Sequence, residues 1–134
     1  MVLLFSLTAL VLSYLVNKWM LKLFKEYAVI FGAPVMEELL KTLPAYYWNR
    51  SVFHVHFLFG LGEALYDYAA ASSKDSGRRA AVFSMISHSF FGAVTVLILG
   101  QTGLILPAMV GAVTVHCVWN AVIMRWGKRE GKGS

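Results

Sequence analysis

The stretch AAVFSMISHSFFGAVTVLILG at 80–100 runs for 21 residues without an Asp, Glu, Lys or Arg, and its only ionisable group is His88. A bilayer core of about 30 Å takes roughly 20 apolar residues to cross as a helix. This segment therefore reads as a membrane span. The rest of the chain agrees with it. Of 134 residues, 58% are hydrophobic and 14% charged, against roughly 45–50% and about 25% in soluble domains. Mean hydropathy is +0.63. Disorder, collagen and an internal disulfide framework are excluded, the last because Cys117 is the single cysteine.

Working outward from 80–100, four more segments have the length and composition of spans. They cover about 1–17, with a possible extension to Phe24, and then 27–48, 52–71 and 104–126. The first lacks the basic leader of a signal peptide and is kept as a span. The expected fold is all-α, a polytopic bundle of about five transmembrane helices forming one domain over 1–126. A polar tail follows at 127–134. The length allows one compact unit.

The net charge of +5 would suggest nucleic acid in a soluble protein. Here the cations fall between apolar runs, and the expected partner is a lipid bilayer instead. Lys18, Lys22 and Lys25 sit between spans 1 and 2, and Lys74, Arg78 and Arg79 between spans 3 and 4. Arg125, Lys128, Arg129 and Lys132 follow span 5, and Arg50 alone lies on the opposite side. The positive-inside rule then predicts an outer N-terminus and a cytoplasmic C-terminus. A prokaryotic cell membrane is the expected location.

Charged groups inside spans are costly and mark function by default. Span 2 carries Glu37, Glu38 and Lys41; span 3 carries Glu63 and Asp67; span 4 has His88; span 5 has His116 and Asn120. Counted at 1.5 Å per residue from the cytoplasmic ends, Glu37, Glu38, Glu63, His88 and His116 lie about 12–15 Å deep, with Asn120 near 9 Å. They predict a single polar layer. Glu37/Lys41, Glu63/Asp67 and His116/Asn120 are i,i+4 pairs, each sharing a face. Gly92, one turn from His88, admits a close neighbour. Pro34 cannot donate to the Ile30 carbonyl and predicts a kink beside the glutamates. His54 and His56 are expected near the outer surface. Asp67 is expected to pair with Arg78 or Arg79, Cys117 to serve packing, and Phe57, Phe59, Phe83, Phe90 and Phe91 to contact lipid or helices.

Acids, imidazoles and an amide in an apolar cavity suit water activation. A carboxylate can take a proton from water as general base, and His116 with Asn120 can hydrogen-bond the oxyanion of an attacked carbonyl. That chemistry fits amide hydrolysis. Two His and one or two Glu also match zinc ligand types, so a metal held by Glu37, Glu63, His88 and His116 is an alternative.

The motifs EELLK at 37–41, FGLGE at 59–63, His88, and HCVWN at 116–120 occur in an order that resembles the CPBP/PrsW intramembrane protease superfamily. That group takes in CAAX-processing proteases, PrsW proteases and the non-proteolytic Aph-1 scaffold of gamma-secretase. Glu-Glu-x-x-Lys, and Phe59-x-x-x-Glu63 in place of Phe-x-x-x-His, resemble the PrsW branch. The resemblance spans about 30–122. It implies an intramembrane endopeptidase with Glu37 as the catalytic glutamate, Glu38 in support, and His116 with Asn120 as the oxyanion site. Glu63 and His88 complete the implied catalytic set, and Lys41 and Asp67 support it. A membrane protein or peptide would be the substrate; no cofactor is favoured, and zinc is the alternative. A scaffold like Aph-1 and a proton-coupled transporter are the other classes this cluster admits.

Overall fold

The computed structural model describes residues 1–130, with side chains through 128. It is an all-α bundle of five helices: α1 Val2–Phe24, α2 Ala33–Tyr47, α3 Val52–Ala70, α4 Lys74–Thr102 and α5 Ile105–Glu130. Three of them, α1, α4 and α5, are long and apolar enough to cross a membrane. Helices α2 and α3 are shorter; α2 carries Glu37, Glu38 and Lys41, and α3 carries His54, His56, Glu63 and Asp67.

Several boundaries differ from the sequence reading for identifiable reasons. The first span takes the longer option and runs to Phe24. Helix α4 starts at Lys74, six residues before the apolar run, because Ser73 caps it by accepting the Ser76 N–H. Lys74, Arg78 and Arg79 therefore lie on the first turns of a helix and not in a loop. At the other end Gly103 adopts φ 68, a left-handed cap suited to glycine, and its N–H returns to the Leu99 carbonyl at 2.8 Å. Helix α5 continues through Glu130, so the first four residues of the expected tail are helical. The remaining 131–134 lie outside the described residues.

The irregularity expected at Pro34 takes the form of a π-helical turn over Ala28–Gly32 that leads directly into α2. Its Ala33 N–H reaches the Ala28 carbonyl five residues back. A widened turn accommodates the missing proline donor without ending the helix.

Small residues set the helix spacing. On α1 the buried positions are Ser6, Ala9 and Ser13, one face at helical spacing that lets neighbouring backbones approach. The Ser6 hydroxyl lies 3.2 Å from the Val55 carbonyl of α3. Between α3 and α4 the close points are two glycines. A Cβ on Gly60 would lie 2.7 Å from the His88 Cβ, and a Cβ on Gly92 would lie 2.7 Å from the His56 Cβ. Each glycine thus makes room for an imidazole on the facing helix.

Candidate active site

Helix α2 supplies the centre. Glu37, Glu38 and Lys41 are all buried, at 4%, 0% and 0% exposure. The two acids are placed differently. Glu38 Oε1 is 2.8 Å from Lys41 Nζ and 3.1 Å from His116 Nδ1. Glu37 has weaker charged neighbours: its Oε2 is 3.9 Å from Lys41 Nζ and 3.8 Å from His116 Nε2. Its other oxygen, Oε1, accepts the Asn17 side-chain N–H at 2.8 Å. Glu38 forms the closer ion pair; among the described residues Oε2 of each acid has no hydrogen bond, and that of Glu38 is fully buried.

The hydrogen-bond inventory assigns the imidazole tautomers. Lys41 only donates, so His88 Nδ1, 3.0 Å from Lys41 Nζ, accepts. A neutral His88 then carries its proton on Nε2, which lies 2.5 Å from Glu63 Oε2. An ionised Glu38 only accepts, so His116 donates to it through Nδ1. A neutral His116 therefore turns its Nε2 lone pair toward Glu37. His116 adds hydrogen-bonding capacity to an oxyanion only when Nε2 also holds a proton.

Aromatic rings wall the cluster. Phe91 stacks on His116 with centroids 4.3 Å apart, and Lys41 Nζ sits 4.4 Å from the Phe59 ring centroid. Both phenylalanines are buried, so they are helix contacts from the expected aromatic set, whereas Phe90 is exposed at 53%.

A cavity of about 510 Å³ opens beside these groups, and its walls include Glu37, Glu63, His88, His116 and Asn120. Glu38 and Lys41 are absent from that wall. The cavity continues to Ser76 and Arg79 near the start of α4 and to Gly127 of α5. Asp67 also lines it and accepts the Ser84 hydroxyl at 2.5 Å. Arg78, one of the two partners expected for Asp67, pairs instead with Asp75 at 3.7 Å, because the two are i,i+3 on one helix. Asn120 lies on the wall too, and its Nδ2 donates to the Val29 carbonyl of the π-helical turn at 2.9 Å. One of its two N–H groups is thus committed to backbone. Cys117 is half-buried and free.

His56 requires a correction. It is 0% exposed, not near the surface, with Nε2 3.1 Å from Thr42 Oγ1 and 3.6 Å from Glu38 Oε2. Counting residues from the helix end places it too far out because the polar layer extends another turn, through Thr42, which meets His56. Gly92 opposite leaves space for the ring. His54 is exposed, hydrogen-bonded to the Ser51 hydroxyl. Asn17 is a site residue that the sequence pattern does not single out. It closes an apolar segment and reads as a boundary, yet it lies four residues beyond Ser13 on the buried face of α1.

Ligand atoms of Glu37, His88 and His116 lie within 4.8 Å of one another, a grouping able to hold a metal ion. Glu63, the fourth expected ligand, is outside this group. The donor types suit zinc, and Glu38 behind His116 has the position of an orienting carboxylate. Two features oppose a cation: both His88 nitrogens already have partners, and the Lys41 ammonium adjoins the same ring.

Comparison of the chain with family models, with curated proteins and with solved structures finds no match.

Proposed function

We propose that the chain is a five-span intramembrane endopeptidase of a prokaryotic cell membrane, with an outer N-terminus and a cytoplasmic C-terminus, similar to the CPBP/PrsW superfamily. The observation that carries this reading is the division of labour between adjacent glutamates. Glu38 is held by Lys41 and His116 away from the cavity, whereas Glu37 lines it, its Oε2 having no hydrogen bond among the described residues. In this reading α2 and α3 also span the bilayer, and their ionisable groups face the bundle interior as intramembrane charges must.

The reaction follows from those positions. Glu37 Oε2 takes a proton from water, and the water oxygen attacks the carbonyl carbon of the scissile amide. The carbonyl electron pair moves onto oxygen, where the second Asn120 N–H and a protonated His116 Nε2 stabilise it. Glu37 then returns its proton to the amine as the C–N bond breaks. Glu38 orients His116, and Lys41 balances Glu38. Glu63 and Ser84 orient His88 and Asp67 along the wall.

A second reading, a metal held by Glu37, His88 and His116, is favoured by the convergence of their ligand atoms. There the ion would polarise water or the scissile carbonyl. It ranks behind because His88 would have to leave Glu63.

The test is mass-spectrometric cleavage profiling of a pool of membrane-segment peptides in micelles, run with wild type, Glu37→Gln and a chelated sample. Cleavage lost in Glu37→Gln and retained with chelator is the expected result. Loss with chelator, restored by zinc, moves the same residues into a metal site. Normal cleavage by Glu37→Gln removes Glu37 as the base.

A further inference from the structure

Helix α1 carries none of the site motifs, yet it supplies the only hydrogen bond within 3.5 Å that Glu37 receives from a side chain among the described residues. Asn17 Nδ2 lies 2.8 Å from Glu37 Oε1. The donor assignment is fixed by chemistry, since an ionised carboxylate only accepts and the amide nitrogen is the end of Asn that donates. Ser6, Ala9 and Ser13 bring this face of α1 against the bundle, and Asn17 continues it by one turn.

The other end of the Asn17 amide is equally informative. Its Oδ1 is buried and has no hydrogen-bond partner. A buried polar atom left unsatisfied is costly, and a purely structural asparagine gains most when both ends of its amide are paired. Here the paired end is the one on Glu37. With one lone-pair site of Oε1 taken by Asn17, Oε2 is the oxygen with both sites open to a water. That oxygen stands 3.8 Å from His116 Nε2, a gap that one water can bridge with a hydrogen bond to each.

We infer that Asn17 is a positioning residue that ties down Oε1 of Glu37 and so selects Oε2 as the oxygen facing the reacting water. The inference rests on the protease reading above, and it extends the site to a helix that the motifs do not touch. Asn17 lines the same cavity as Glu37, and its assigned role is exerted through that carboxylate. Removing it lets the carboxylate rotate about its last bond and share its basicity between two directions. Turnover then falls, and substrate affinity does not.

Two measurements test this together. The first needs no substrate. The chain has three asparagines, Asn17, Asn49 and Asn120, so selective ¹⁵N-asparagine labelling resolves the Asn17 side-chain amide by NMR in micelles, with Asn17→Asp identifying its signal. That signal is expected to move in Glu37→Ala and to stay in place in Glu63→Ala. The second is peptide cleavage by Asn17→Leu, which removes the donor, and by Asn17→Asp, which keeps the shape and replaces the donor with an acceptor. Having two variants protects against a folding failure in either, checked by helical circular dichroism. A kcat loss of about 10- to 100-fold with KM nearly unchanged is expected, the scale on which partners that orient metal-ligating side chains act. Asn17→Gln, which restores an amide donor, should recover part of it. An Asn17 signal that ignores Glu37→Ala overturns the inference, as does wild-type turnover in both Asn17→Leu and Asn17→Asp. If the signal moves but wild-type protein cuts none of the peptides, the protease reading has failed, and the positioning role falls with it while the contact itself stands.

Discussion

Gly92 of α4 faces His56 of α3 so closely that a Cβ on the glycine would sit 2.7 Å from the Cβ of the histidine. The reverse relation holds one turn away, where Gly60 of α3 faces His88 of α4 at the same distance. His56 and Gly60 are i,i+4, as are His88 and Gly92. Two antiparallel helices therefore exchange a histidine for a glycine twice. The exchange sets both imidazoles against the Lys41–Glu38 ion pair, one on each partner.

This packing makes the two glycines sensitive positions. Adding a methyl at either forces the facing backbone or ring to shift, an overpacking cost of about 1–3 kcal/mol. Gly92→Ala and Gly60→Ala should each lower the midpoint of unfolding in micelles. Gly100→Ala, on the same helix with nothing within 4 Å of the added Cβ, should be neutral or stabilising by up to about 1 kcal/mol. Equal behaviour of all three would contradict the close α3–α4 contact.

The adjacent glutamates should separate in mutagenesis. Glu38→Ala leaves the Lys41 ammonium buried without its 2.8 Å partner, and breaking one side of a buried pair costs about 3–5 kcal/mol. Glu37→Gln retains the shape and can still accept from Asn17. Poor folding is expected of Glu38→Ala, and a folded, inactive protein of Glu37→Gln. Thermal unfolding and peptide cleavage measured side by side decide it, and the opposite assignment would exchange the roles of the two acids.

Much of this arrangement is legible in the order of the residues alone. The apolar runs and their interruptions yield five helices, and depth counting brings Glu37, Glu38, Glu63, His88 and His116 into one cluster, as their contacts bear out. Depth counting fails for His56 because it treats each helix alone. What places His56 is its partner Thr42, together with the space opposite Gly92. The π-helical turn is equally invisible, since Pro34 announces a disturbed ladder but not how the ladder adjusts. Asn17 escapes for a different reason: a lone amide at the end of an apolar run has the same appearance whether it marks a boundary or contacts a carboxylate.

The two neighbouring histidines of α3 offer a direct check on the burial of His56. His54→Ala removes an exposed ring hydrogen-bonded to the local Ser51 hydroxyl, and such changes stay within about 0.5 kcal/mol. His56→Leu strands the Thr42 hydroxyl in the core, which costs about 1–3 kcal/mol. Chemical unfolding of the two variants should differ accordingly. A surface position for His56 would make them alike.

The buried pair can also be tested by removing both charges at once. Lys41→Met alone leaves Glu38 without its cation, takes the donor from His88 Nδ1, and should be as damaging as Glu38→Ala. Combining Lys41→Met with Glu38→Gln removes the ion pair as a unit, and Gln can still accept the His116 Nδ1 proton. Removing both charges leaves neither one buried and unpaired, so the double variant should recover part of the stability lost in Lys41→Met. A coupling of about 0.5–3 kcal/mol is the range for residues in contact. Strict additivity of the two single losses would mean that Lys41 and Glu38 do not form the pair. Cleavage retained by Glu38→Gln alone but lost in the double variant would assign Lys41 a second duty, holding the His88 ring toward Glu63.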